Sequence, residues 1–175
     1  VLGDVYGAEL SAGRLRLDDR HTLTAADRRG GSGTLRMMDP GAVMTVKDLV
    51  TYMIVVSDNT ATDVLYRLVG GPAAVTARMR TYGLTSTTVE HPASTYFERY
   101  MEAGKQGVDL DDYHRRRAPF ATSTPREIGV LLERMTRGEL VDRESSARML
   151  SIMRGQQMTT RIPRFLENPF LAPHK

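Results

Sequence analysis

Residues 44–65 read MTVKDLVTYMIVVSDNTATDVL, and this stretch decides the fold class. Val46, Leu49, Val50, Met53 and Ile54 follow the i, i+3, i+4, i+7, i+8 spacing of one buried helical face. Thr45 stands where an N-cap belongs, and Asp48 where the acid of a capping box reaches back. A second helix is expected over 60–69, with Val64, Leu65 and Leu68 inward. Between the two helices lies Ser57-Asp58-Asn59. Ser, Asp and Asn are the best capping residues, so taken alone the tripeptide is explained as a cap cluster.

Outward from this pair the pattern stays helical. Gly70-Gly71 can end the second helix in a left-handed cap, and Pro72 suits the first turn of a third, which Gly83 closes. Thr124-Pro125-Arg126-Glu127 has the form of a capping box with proline at the first helical position. Ile128, Leu131, Leu132 and Met135 form the apolar stripe behind it, and Gly138 stops it. A further helix is expected over 142–154, with Met149, Leu150 and Met153 inward and Gly155 as its stop. The ten methionines suit such helical interfaces.

Strands are nearly missing; only residues 86–89 read as extended. Residues 21–41 are turn-rich, with Gly30-Gly31-Ser32-Gly33 and Asp39-Pro40-Gly41. Residues 90–123 are too long for a structureless connector. They read as a long omega-loop-like insertion or as the site of a short helix with Tyr96, Phe97, Tyr100 and Met101 on one side. Leu2, Val5, Tyr6 and Leu10 suggest a helix already under way at Val1, and Pro173-His174-Lys175 has no turn or cap. Residues 1–175 are therefore expected to form a single domain truncated at both ends.

The 175 residues carry 24 Lys+Arg against 21 Asp+Glu, a formal charge of +3, with 41% apolar and 26% charged residues. That is globular composition. Cysteine is absent, which excludes disulfides, cysteine zinc sites and thiol catalysis. No apolar run approaches the roughly 20 residues of a membrane-spanning helix. His114-Arg115-Arg116-Arg117 follows Asp109, Asp111 and Asp112, so it reads as a self-neutralising loop and no nucleic-acid partner is implied. His21, His91, His114 and His174 lack metal-ligand spacing. Gly30 to Gly33 reads as a turn, since a phosphate-binding loop needs a preceding strand and a lysine. No metal or cofactor is implied.

Several stretches together carry a family resemblance. They are Leu15-Arg16-Leu17-Asp18-Asp19, Gly31-Ser32-Gly33 with Leu35, residues 44–49, and the run from Met53 through Ser57-Asp58-Asn59 to Thr62. Later come Thr124-Pro125, Leu131-Leu132, Gly138-Glu139-Leu140, residues 149–157, Arg161-Ile162-Pro163 and His174-Lys175. In these residues the chain resembles the penicillin-recognising serine enzymes, most closely the class A β-lactamases. Their motifs run S-x-x-K, S-D-N, K-T-G. The similarity covers most of the chain apart from residues 90–123.

Amide hydrolysis through an acyl-enzyme needs an activated serine, a base and a proton donor for the leaving nitrogen. A hydroxyl between two ammonium groups can relay a proton without becoming charged. The resemblance makes Ser57 that relay and Lys175 the lysine of K-T-G, orienting Ser57 and attracting the substrate carboxylate. It makes Asn59 the group that holds the nucleophile's lysine and the substrate's side-chain amide. Asp58 is expected to turn inward as structural support. The implied partner is a small β-lactam or a D-alanyl peptide. The implied location is extracytoplasmic, periplasmic or secreted, and the oligomeric state stays open.

The departures are as informative. No S-x-x-K occurs, so the nucleophile and its lysine are expected upstream of Val1, and the Thr-Gly of K-T-G beyond Lys175. The 175 residues alone are expected not to acylate. No E-x-x-L-N occurs either; Glu98 and Glu102 are the nearest carboxylates to a deacylation base. The expected fold is mainly α: the helical portion of the α+β fold of β-lactamases and penicillin-binding proteins, with most of the antiparallel sheet missing and an apolar stripe left exposed. The leading reading is a β-lactamase-related serine hydrolase. A D-alanyl-D-alanine peptidase or esterase of the same fold is the alternative within the enzymes. The rival outside them is a non-catalytic helical binding module in which Ser57 is only a cap.

Overall fold

A computed structural model describes residues 12–111, 113 and 121–158. Among the described residues there are six α-helices: α1 (Val46–Val55), α2 (Asn59–Leu68), α3 (Gly71–Thr81), α4 (Ala93–Lys105), α5 (Pro125–Arg137) and α6 (Arg143–Arg154). Four short strands form two antiparallel pairs. β1 (Arg20–Thr22) pairs with β2 (Val43–Thr45), His21 opposite Met44. β3 (Thr88–Val89) pairs with β4 (Ala121–Thr122). Of these strands only β3 falls in the stretch expected to be extended. Segments of two or three residues cannot show a period of two, so the other three left no sequence signal.

The caps explain where the helices begin. Thr45 and Asp48 close a full capping box: the Asp48 N–H donates to Thr45 Oγ1 (3.1 Å), and the Thr45 N–H donates to Asp48 Oδ2 (3.0 Å). The expected box at α5 closes only halfway. The Glu127 N–H donates to Thr124 Oγ1 (3.2 Å), but the Glu127 carboxylate takes the Ser86 N–H (2.8 Å) and the Thr87 hydroxyl (2.5 Å) instead. It thereby ties α5 to the approach of β3. The aromatic side of residues 90–123 is a real helix, α4, although Met101 is exposed.

Two apolar cores result. The first contains Val46, Leu49, Val50 and Met53 of α1 with Ala61, Val64 and Leu65 of α2, joined by Leu23, Leu35 and Val75. The second contains Met79, Leu84, Leu131, Met135 and Leu140. Leu68 and Met153, expected inward, are exposed at 39% and 40%, and so are Ile128 and Leu132 at 39% and 41%. Ile128 and Leu132 lie one turn apart on α5, so half of that stripe faces solvent. The cores are linked by α6: Ile152 packs on the first core, the Gln156 amide donates to the Ile54 carbonyl (2.7 Å), and the Gln157 N–H donates to the Val55 carbonyl (3.1 Å).

A polar layer ties the segment before α1 to α2. Asp27 is buried and accepts from the Thr24 N–H (2.8 Å), the Thr24 hydroxyl (2.9 Å), His21 Nε2 (3.1 Å) and the Arg67 guanidinium. Burial alone would push its carboxyl up. The Arg67, Thr24 and His21 hydrogen bonds outweigh burial and hold it well below the ordinary carboxylate range. A carboxyl depressed on folding stabilises the fold above its unfolded value of about 3.9 and loses that contribution as pH falls below it. Stability should therefore decline from about pH 5 to pH 3, with the Asp27→Asn variant showing a flatter decline. Denaturant midpoints at the two pH values test this; equal slopes in both proteins would assign the acid loss to other groups.

Candidate functional site

The site is the turn between α1 and α2. α1 ends when the Val56 and Asp58 N–H groups both donate to the Tyr52 carbonyl (3.3 and 3.1 Å). Ser57 lies between them with φ of +55°, a left-handed conformation that costs a non-glycine residue roughly 1–2 kcal/mol. Its side chain is half-buried and makes no hydrogen bond to another described residue. The N-cap of α2 is Asp58: its Oδ1 accepts the Ala61 N–H (2.9 Å). The reading of Ser57 as a cap is therefore corrected, because the position one residue later performs that task.

Asp58 is 1% exposed. Its second oxygen accepts the Thr34 N–H (2.6 Å) and the Leu35 N–H (2.9 Å). One carboxylate thus caps α2 and holds a strap, residues 29–35, against the helix start. Asn59 is also buried. Its N–H donates to the Ser32 carbonyl (3.1 Å) and its Nδ2 donates to the Gly30 carbonyl (2.8 Å). The Ser32 hydroxyl donates to the Ser57 carbonyl (2.6 Å) and stands 3.4 Å from Asn59 Oδ1. Upstream, the Arg29 N–H donates to Thr60 Oγ1 (3.0 Å) and Arg29 Nε to Asp63 Oδ2 (2.8 Å). Asp63 Oδ1 is buried without a partner among the described residues.

The strap fits this closely only because of its glycines. A Cβ on Gly33 would stand 2.1 Å from Asp58 Oδ2, and one on Gly31 2.4 Å from Asn59 Nδ2 and 3.4 Å from the Phe97 ring. Both glycines have positive φ, +96° and +87°. The Phe97 contact brings α4 to the edge of the site. There Phe97 meets Tyr96 edge-on (centroids 5.6 Å), and Tyr96 stacks on Tyr100 (6.1 Å).

The structure thus brings Ser57, Asp58 and Asn59 together with Arg29, Ser32, Gly33 and Phe97, none of which the sequence placed at the site. A glycine-flanked serine is the one signal that could have found them. Lys175 lies outside the described residues, as do His174 and the basic run 114–117. Glu98 and Glu102 are exposed on α4, and Glu102 is occupied by Gln106 (3.1 Å) and Lys105 (3.6 Å). His91 accepts from Arg99 (3.2 Å). Among the described residues no group of three His, Asp or Glu could hold a metal ion, and no helix is long and apolar enough to cross a membrane.

Comparison with known proteins identifies the family and the fold. The profile of the Beta-lactamase enzyme family matches residues 6–175. Beta-lactamase L2 of Stenotrophomonas maltophilia is 31% identical over 125 residues, which is 71% of this chain and 36% of that protein. The β-lactamase of Sphaerobacter thermophilus superposes with a TM-score of 0.78 at 28% identity, over 95% of this chain and 57% of that one. A PBP-A variant, captured as an acyl-enzyme complex with penicillin G, shares the fold with a TM-score of 0.75 at 24% identity, over 96% and 56%. The chain spans about a third of the first relative and a little over half of the solved ones. Its helices are those of the helical portion of the β-lactamase fold. With the profile matched along nearly its whole length and the Ser-Asp-Asn turn formed at the junction of α1 and α2, the chain belongs to the beta-lactamase enzyme family and is class A-like.

Proposed function

We propose that this chain forms the Ser-Asp-Asn half of a β-lactamase-related serine hydrolase that works through an acyl-enzyme. The observation that carries the reading is the contrast within the tripeptide. Asp58 and Asn59 are buried and fixed by backbone partners, whereas Ser57 is held in a strained conformation with a hydroxyl that bonds no other described residue. Strain of this kind persists only where surrounding bonds impose it, and it gathers at functional turns.

In the proposed reaction a serine of an S-x-x-K motif, supplied by sequence outside these 175 residues, gives its hydroxyl proton to that motif's lysine amine as it attacks the carbonyl of a β-lactam. As the carbon–nitrogen bond breaks, Ser57 Oγ passes its proton to the leaving nitrogen and takes one from a lysine ammonium. Lys175 orients Ser57 and attracts the substrate carboxylate. Asn59, with one Nδ2 hydrogen on Gly30, keeps Oδ1 and its second hydrogen for the nucleophile's lysine and the substrate amide. Asp58 braces the turn. The setting is extracytoplasmic, where β-lactams and cell-wall peptides are met.

One observation favours a second reading, a penicillin-binding or D-alanyl peptidase-like enzyme whose acyl-enzyme persists. There is no E-x-x-L-N, and Glu98 and Glu102 face solvent. The test is the intact mass of the full-length protein after mixing with benzylpenicillin. A gain of one penicillin that then decays is the expected result. A gain that persists selects the second reading. No gain from a folded protein would overturn both and leave the non-catalytic module or an esterase.

A further inference from the structure

We infer that Ser32 is a positioning residue of the acyl-transfer turn: its hydroxyl bond to the Ser57 carbonyl imposes the left-handed backbone that presents the Ser57 side chain. The inference rests on the reading of Ser57 as the proton relay. The peptide unit joining Ser57 to Asp58 is held at both ends. Its N–H donates to the Tyr52 carbonyl at 3.1 Å, and its carbonyl accepts from Ser32 Oγ at 2.6 Å. Two bonds at opposite ends of a planar unit fix the orientation of that plane. The plane in turn sets the backbone torsions of Ser57. The α1 terminus supplies the first bond through its own backbone, but only a side chain supplies the second.

Ser32 is suited to the task by its neighbours. Gly31 and Gly33 let the strap approach Asn59 and Asp58 to distances that no Cβ would tolerate. The Ser32 carbonyl is itself held by the Asn59 N–H. Its hydroxyl is thus delivered from a backbone fixed on both sides. The single hydroxyl proton goes to the Ser57 carbonyl, since the 3.4 Å approach to Asn59 Oδ1 is too long to compete. Asn59 Oδ1 is thereby left able to accept from a lysine. Ser32 acts through Ser57 and donates nothing to substrate.

The experiment uses the full-length protein with Ser32→Ala and Ser32→Thr, read in two ways. The first is the second-order rate constant of acylation by a fluorescent penicillin. The second is the set of ¹³C shifts of Ser57, which report whether its backbone is left-handed. Ser32→Ala is expected to lower the rate constant about 3- to 10-fold, the worth of one ordinary hydrogen bond. It is also expected to move the Ser57 shifts away from left-handed values. Ser32→Thr, which keeps the hydroxyl, should restore both. A residue that merely supported the fold would change melting temperature without moving the Ser57 shifts. Unchanged Ser57 shifts in Ser32→Ala overturn the inference whatever the rate does. A wild-type protein that is never acylated overturns the relay reading, and the Ser57 shifts then decide the role of Ser32 alone.

Discussion

The Ser57→Ala variant of the full-length protein is expected to acylate about 10²- to 10⁴-fold more slowly than wild type, the range for a lost proton-transfer group. Its melting temperature should hardly change, because the Ser57 hydroxyl caps nothing and bonds no described residue. That pairing separates relay from scaffold. A slow variant that also melts early would mean that the turn had collapsed. Ser57→Gly sharpens the test: at φ of +55° glycine removes the steric cost, and the variant should be about 1 kcal/mol more stable while acylating as poorly as Ser57→Ala. Stop-flow acylation beside calorimetry reads both quantities. If Ser57→Gly acylated at the wild-type rate, the side chain would have no part in the chemistry.

Gly33→Ala is expected to be the most damaging single change to the fold among those around the site. Its methyl group would stand 2.1 Å from the Asp58 carboxylate and 2.5 Å from the Asp58 backbone, at a φ that alanine resists. Either the strap lifts, stranding the Thr34 and Leu35 N–H groups, or Asp58 swings away and uncaps α2. Strain and unsatisfied donors together cost about 3–5 kcal/mol, or about 10 °C in melting temperature for a chain of this size. Gly30→Ala is the control. Nothing lies within 4 Å of its Cβ, so its effect should stay within about 0.5 kcal/mol. Combining Gly33→Ala with Asp58→Ala removes one party to the clash, so the double variant should cost less than the sum of the singles.

What the sequence disclosed, and what it hid, follows the reach of each interaction. Thr45 and Asp48 sit three residues apart, and their capping box formed as read. The spacing of Tyr96, Phe97 and Tyr100 located α4 inside a stretch otherwise without pattern. Glu127 stood at the right offset to complete a second box, yet its carboxylate bonds Ser86 and Thr87, about forty residues away. A periodic stripe records which residues share a helix face but not how much of that face a neighbour covers. Leu68, Ile128, Leu132 and Met153 matched the period and still face solvent. At the site, Ser57-Asp58-Asn59 stood out only through resemblance. The strap that holds it lies 25 residues upstream, where Gly31-Ser32-Gly33 read as a turn that also carried the resemblance, with nothing to show that it grips Asp58 and Asn59. The partner of a glycine cannot be read from its own neighbours in the chain.

The division of the apolar interior into two clusters bears on how the molecule breathes. α5 and α6 pack on Met79 of α3 and on Leu84 in the second core, and reach α1 through Ile152 and two glutamine hydrogen bonds, so that helical pair is expected to part from α3 and open while α1, α2 and the strap stay closed. In hydrogen–deuterium exchange its amides should exchange sooner than those of Thr34, Leu35 and Ala61, which a buried carboxylate holds. The Ser57-Asp58-Asn59 turn would then be seated in the slowest-opening part of the described residues, insulated from fluctuations at α5 and α6.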